Sequence, residues 1–209
     1  MPHTNIVWVP TYACLILFIL SANNAYSAEA SDILEQEVIN ESTGIAGWII
    51  KDDTFFLELN QRAPQPMRGF FEGRGFNSKI ADQLARHCTF QVHIRNIAET
   101  SSNNEIISDM ADWRVIHNNQ SQPPILKQEW LSRWQSASEE ISTAARIAFR
   151  WATFPSPQAF SAGDFNWGLA TFGPAPGEPF DLEIHWTLNG NKQHYRINNM
   201  SCPIDPAVE

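Results

Sequence analysis

The 209-residue sequence has few cysteines and little positive charge, and each scarcity excludes a class of protein. Its three cysteines form no C-x-x-C pair, which excludes a cysteine-rich scaffold and a local zinc or redox motif. Its 14 lysines and arginines are outnumbered by 23 acidic residues, giving a net charge of −9, and they form no basic run. We therefore expect no binding to nucleic acid, because phosphate contacts need clustered cations.

The common catalytic motifs are also absent. The sequence has no glycine-rich nucleotide loop, no H-E-x-x-H zinc motif, no G-x-S-x-G elbow and no EF-hand loop. A hydrolase site made of carboxylates that are distant in sequence, such as Glu58 and Glu72, would leave no such motif and stays open as an alternative. The sequence therefore favours a protein that is not an enzyme, and it predicts no cofactor.

The sequence does contain enough apolar and aromatic side chains for one folded domain. Hydrophobic residues make up 43% of the chain, and the 13 Phe and 8 Trp exclude a disordered protein. The acidic excess is concentrated early in the chain, because residues 29–53 hold seven acidic side chains against Lys51 alone. We expect a single β-rich domain over residues 28–209 with an acidic N-terminal lead-in.

The N-terminus has the pattern of an export signal. An apolar run at positions 6–20 precedes small and polar residues, which predicts a signal peptide over residues 1–27, cleaved after Ser27 or alternatively after Ala30. The run is short for the roughly 20 residues that span a bilayer. An uncleaved anchor is the alternative, because no Lys or Arg precedes the run. We predict a periplasmic or secreted protein without a stable membrane span after signal removal.

Two cysteines remain once Cys14 leaves with the signal peptide. They are Cys88 and Cys202, and we predict one disulfide between them, because export delivers the chain to an oxidising compartment. Closing a loop of that length stabilises a fold by about 4–5 kcal/mol in the chain-entropy model. Two unpaired buried thiols are the alternative interpretation.

Hydrophobic periodicity predicts a mainly β fold. Residues 88–97 alternate apolar and polar side chains, as a half-buried strand does, and residues 44–60 read as a hairpin. Residues 145–154 and 165–172 also read as strands, whereas helices are expected over 31–40, twice within 64–85, and near 126–134. About nine strands with short helical insertions and no βαβ repeat favour an immunoglobulin-like or related β-sandwich.

The pair Asn189-Gly190 gives the clearest local prediction. This dipeptide is a strong signal for a two-residue hairpin turn, and it fixes the register of its flanks by pairing Leu188 with Asn191. Counting outward places His185 opposite His194. The register separates an apolar face from a polar one, and the apolar face holds Leu182, Ile184, Trp186, Tyr195 and Ile197.

The opposed histidines form a candidate metal site. Directly opposed residues on a sheet have Cβ atoms about 5 Å apart, so His185 and His194 could share a copper or zinc ion. Two ligands are too few for either metal, and the candidates to complete the set are Asp181, Glu183 and His93. Two solvated histidines on an exposed hairpin are the alternative.

Four arginines form a second candidate site. They are Arg95, Arg146, Arg150 and Arg196, and the alternation of side chains along each strand places them on polar faces. If these strands share one sheet, the four arginines could bind a small anionic ligand or a protein partner. Ordinary solvated strand faces are the alternative interpretation.

A cluster of aromatic residues near proline- and glycine-rich loops is the third candidate, and comprises Phe160, Phe165, Trp167 and Phe172. Parity sends Phe165 and Trp167 to one face of their strand and Phe172 to the other. Exposed rings of this kind stack on sugars or peptides, whereas most large aromatic residues are buried in the core. The leading hypothesis is an exported, non-enzymatic binding or assembly-accessory protein, and the alternatives are a metal-binding protein and a hydrolase.

Overall fold

The computed structural model describes residues 33–137 and 140–204, so the predicted signal peptide lies outside the described residues. Within them the chain forms eleven strands, rather than about nine, and four short helices. The strands are β1 (Leu34–Ile39), β2 (Ala46–Lys51), β3 (Phe55–Arg62), β4 (Cys88–Asn96), β5 (Glu105–Ser108), β6 (Arg114–His117), β7 (Gln120–Gln122), β8 (Gln158–Ser161), β9 (Phe165–Phe172), β10 (Phe180–Leu188) and β11 (Asn191–Met200). The helices are α1 (Pro64–Glu72), α2 (Ser78–Ala85), α3 (Lys127–Ser136) and α4 (Thr143–Ala152).

The strands form two antiparallel sheets, which confirms a mainly β fold. The first sheet has the order β1-β2-β3-β4-β9, so its first four strands follow one another along the chain. The second has the order β7-β6-β10-β5-β8, with β11 paired to β10. Both β5 and β6 pair with the same strand, β10, at different positions along it.

The main core is formed by buried side chains that the two sheets share. Fully buried residues of the first sheet, such as Leu57 and Phe90, belong to the same cluster as Leu182 and Ile184 of the second. Each strand contributes every second residue, as the alternation of buried and partly exposed side chains in β3 and β10 shows. This arrangement is consistent with a β-sandwich.

The four helices form a second hydrophobic cluster against the outer surface of the first sheet. Trp130 and Trp134 of α3 are buried in it, and Leu169 of β9 packs against it. The Trp130 Nε1 donates a hydrogen bond of 2.7 Å to the Thr171 Oγ1 in the same strand. The helices therefore cover the C-terminal end of β9 and leave the N-terminal end of that strand uncovered.

Two predicted elements are wrong in type. Residues 34–39 belong to strand β1, not to a helix, because they pair along the whole of β2 and satisfy the hydrogen bonds of that edge. Residues 143–152 form helix α4, not a strand: the Ser142 side chain caps it by accepting from the Ala145 N–H at 3.1 Å, and Ala145 and Phe149 are buried one helical turn apart. The helices predicted within 64–85 and near 126–134 are confirmed.

The predicted hairpin register is confirmed in full. His185 pairs with His194, Leu188 with Asn191. Asn189 and Gly190 both have positive φ, of 51° and 79°, as the two central residues of a type I′ turn require.

Cys88 and Cys202 lie at a separation compatible with a disulfide. Cys88 begins β4 and Cys202 follows β11, and their Cα atoms are 5.5 Å apart. Both side chains are buried. The pair connects the first sheet to the chain segment that leaves the second.

A hydrogen bond joins the edges of the two sheets. The Tyr195 hydroxyl of β11 donates to the Glu35 carboxylate of β1 at 2.6 Å, and this bond raises the pKa of Tyr195 to about 12. We expect a spectrophotometric titration of the phenol groups to show one tyrosine ionising near that value. In Glu35→Gln, the same tyrosine is expected to ionise closer to the ordinary value of about 10. An unchanged high pKa in the variant would contradict the contact.

None of the helices within residues 33–137 and 140–204 has the length and apolar character needed to cross a lipid bilayer.

Candidate functional site

The uncovered part of the first sheet presents the most distinctive surface of the described residues. On its outer side, paired residues of β3, β4 and β9 form two neighbouring rows across the sheet. The first row consists of Glu58, His93 and Trp167. The second row consists of Phe56, Arg95 and Phe165. We call these six residues the aromatic face.

Two large aromatic side chains of this face are exposed to solvent. Phe165 is 60% exposed and Trp167 is 58% exposed, although Phe172 of the same strand is fully buried. Phe160 is also buried in the core. Large apolar side chains that a folded protein leaves exposed side by side commonly mark a binding surface.

His93 lies at the centre of the aromatic face. Its ring packs edge-on against Phe56 and Phe165, with ring centroids 5.8 and 5.9 Å apart respectively. The His93 Nδ1 is 3.5 Å from a carboxylate oxygen of Glu58. The other ring nitrogen, Nε2, is buried and has no hydrogen-bond partner among the described residues. An unsatisfied buried polar atom of this kind costs a fold about 1–3 kcal/mol.

A further exposed tryptophan, on helix α4, was not anticipated from the sequence. Trp151 of α4 is 84% exposed, and it lies two residues before Thr153, which bridges to Leu169 of β9. The sequence interpretation missed it because residues 145–154 read as a strand. It also missed Phe56, although the alternation of β3 places Phe56 and Glu58 on one side and was sufficient to find it.

The polar side of the second sheet carries the two opposed histidines. The rings of His185 and His194 lie side by side, with centroids 5.9 Å apart. The Trp113 Nε1 donates to the His185 carbonyl oxygen at 3.0 Å, which holds this part of β10 against the core. Burial lowers the pKa of His185, and the nearby Glu183 carboxylate opposes that shift.

The described residues do not complete a metal site around these rings. They include no group of three His, Cys, Asp or Glu side chains able to hold a metal ion. His93 lies on the outer side of the other sheet, and so cannot join the pair. Asp181 and Glu183 are instead engaged by Arg196, at 2.6 and 3.4 Å. The contact with Arg196 also lowers the pKa of the Asp181 carboxyl.

Two partly buried histidines are expected to make the stability depend on pH. Burial lowers the pKa of His87 and His185, so the unfolded chain takes up protons at a higher pH than the folded chain. The stability that these groups contribute is present above the ordinary histidine pKa of about 6.5 and is lost as the pH falls through it. We expect a lower melting temperature at pH 5 than at pH 7.5, measured by circular dichroism.

The variants His87→Gln and His185→Gln should each reduce that difference in melting temperature. The exposed His194→Gln keeps both of these histidines and is the control. Because His194 contributes less than burial to the lowered pKa of His185, this variant should retain most of the difference. An equal acid-induced loss in all four proteins would rule out this origin of the pH dependence.

The four predicted arginines do not share one sheet. Arg95 lies on β4 of the first sheet and Arg196 on β11 of the second. Arg146 and Arg150 lie on α4, so the strand parity that grouped them with the others is wrong. Arg95 alone of the four belongs to the aromatic face.

The carboxylates considered for a hydrolase lie on different elements. Glu58 is on β3, where it accepts a hydrogen bond of 3.0 Å from the Asn60 side chain, and Glu72 is the exposed last residue of α1. A cleft of about 420 Å³ beside His185 also holds Asp109 and Asp112. Asp109 already accepts bonds from Ser156 and the Ala111 N–H, so its carboxylate has a structural role.

No protein-family model, curated protein or solved structure matches the chain. What the protein does is therefore inferred from the chemistry of its own residues.

Proposed function

We propose that this protein is an exported, non-enzymatic binding or assembly-accessory protein that uses the aromatic face as its binding surface. The observation that supports this most strongly is the exposure of Phe165 and Trp167 beside an unsatisfied His93 ring nitrogen. A folded protein gains nothing from leaving two large rings side by side in water, whereas a bound ligand would cover both of them.

The scaffold proposed for this surface is an immunoglobulin-like or related β-sandwich. Such scaffolds hold a binding surface rigidly because the side chains rise from paired strands, not from loops. The proposed location is the periplasm or the cell exterior, which the predicted signal peptide and the disulfide-compatible cysteine pair both favour.

Co-purification after mild chemical crosslinking tests the binding function. Tagged wild-type protein, Trp167→Ala and Ile107→Ala would be recovered from the exported fraction of the cells that produce the chain. Ile107 is the matched control because it is an exposed apolar residue on the second sheet. We expect a crosslinked species with the wild type and Ile107→Ala that Trp167→Ala has lost. Recovery of the same crosslinked species from all three proteins would refute the aromatic face as the binding surface.

A mass measurement of the exported protein tests the proposed export. We expect a mature chain that begins at Ala28. A chain that retains residues 1–27 would favour the uncleaved anchor instead.

A further inference from the structure

We propose that the ligand of the aromatic face is a carbohydrate, an inference that rests on the proposed binding function and names its ligand class. The spacing of the two exposed rings is the first reason. Phe165 and Trp167 stand two residues apart on one side of β9, so their side chains rise about 7 Å from each other. The negative face of an aromatic ring attracts the C–H groups on the flat side of a sugar ring. Two such rings provide stacking positions for consecutive sugar units.

The polar groups between the rings are the second reason. His93 lies opposite Trp167, and Arg95 lies opposite Phe165, so hydrogen-bonding groups alternate with aromatic ones. A sugar has this same alternation, because hydroxyl groups surround its apolar face. A hydroxyl group can accept a hydrogen bond from the exposed Arg95 guanidinium, which lies beside Phe165.

The charged groups of this surface suit a polar ligand. Arg95 is exposed in the middle of its row, and Glu58 lies at the β3 end of the other row. A carboxylate and a guanidinium are both good partners for hydroxyl groups, because a carboxylate accepts and a guanidinium donates. Their presence suits a ligand that offers both.

The edge of β9 disfavours a peptide that binds as an added strand. Strand addition needs free backbone donors along the edge of the sheet. The Trp167 N–H instead donates to the side-chain oxygen of Asn166 at 2.8 Å. At Trp167 the backbone donor is therefore occupied within the strand itself, and further along β9 the chain at Thr153 already bridges to Leu169. The exposed ring remains the group available to a ligand at Trp167.

Affinity electrophoresis tests the proposal. Native gels would contain one of four soluble polysaccharides: a β-glucan, a xylan, a mannan or solubilised peptidoglycan. We expect at least one of them to retard the wild-type protein. In that gel, Trp167→Ala should weaken binding about tenfold or more, because a stacking ring is lost. His93→Ala should also weaken it, whereas the controls Ile107→Ala and His185→Ala on the second sheet should bind as the wild type does.

Two results would overturn the carbohydrate proposal. One is the absence of retardation of the wild type in all four gels. The other is equal retardation of the wild type and Trp167→Ala, provided that equal melting temperatures show both proteins to be folded. If a protein is crosslinked through Trp167 while no polysaccharide is bound, the binding function stands and the carbohydrate does not. Sedimentation that finds a wild-type dimer and a Trp167→Ala monomer would likewise assign the face to a second copy of the chain.

Discussion

Replacing Cys88 and Cys202 together by alanine is expected to lower the free energy of unfolding by about 4–5 kcal/mol. The two residues are 114 positions apart, so a bond between them removes much of the freedom of the unfolded chain. The loss should be visible as a lower urea midpoint in equilibrium denaturation. Treatment of the wild type with a reductant should produce a loss of similar size without any change of sequence.

Thiol labelling of denatured, unreduced protein shows whether the bond exists. We expect no labelled cysteine in the mature chain, and at most Cys14 if the N-terminal segment is retained. Two reactive thiols at Cys88 and Cys202 would show that the pair is not bonded. The expected stability loss would then have no basis.

Gly168→Ala is expected to destabilise the protein by about 3 kcal/mol or more. Gly168 lies on β9, where the chain that leaves α4 passes directly against it. A Cβ at this position would meet the Phe154 Cα at 2.5 Å and the Thr153 carbonyl carbon at 2.8 Å. These are backbone atoms, and the Phe154 N–H is held by the Leu169 carbonyl at 2.9 Å, so they cannot give way easily.

Gly69→Ala is the matched control for this substitution. Gly69 lies within α1, and a Cβ there would meet nothing within 4 Å. We expect it to stabilise the protein by roughly 0.5–1 kcal/mol, because alanine loses less backbone freedom in a helix. Equal effects of the two substitutions in a urea titration would contradict the close contact at Gly168.

The sequence allowed structure to be predicted where local chemistry decides it. The register of the β10–β11 hairpin follows from Asn189-Gly190 alone, because Asn-Gly is the preferred pair for the two-residue type I′ turn, in which both central residues have positive φ. The secondary structure of residues 145–154 could not be decided from local sequence in this way. Alternation from Ile147 to Trp151 suggested a strand, but Ala145 and Phe149 are the buried pair, and the helical cluster that buries them comes from distant parts of the chain.

The aromatic face was likewise predictable in its local features but not in those that depend on distant parts of the chain. Parity placed Phe165 and Trp167 on one side of their strand, as the structure confirms. Parity could not show that this side is exposed, because that depends on where the helices stop along β9. Nor could it bring His93 beside Trp167, since the pairing of β4 with β9 joins segments far apart in sequence. Long-range pairing of this kind is set by the whole fold and not by local patterns.

Site-specific photocrosslinking in the exported fraction is the most direct measurement of the binding function. A photoreactive phenylalanine analogue would replace Phe165 in one protein and Ile107 in the other, so that the aromatic face keeps Trp167 and an aromatic ring at position 165. We predict a covalent adduct from position 165 and none from position 107. Adducts of equal yield from both positions, or none from position 165, would contradict the claim that the aromatic face is where this protein binds its ligand.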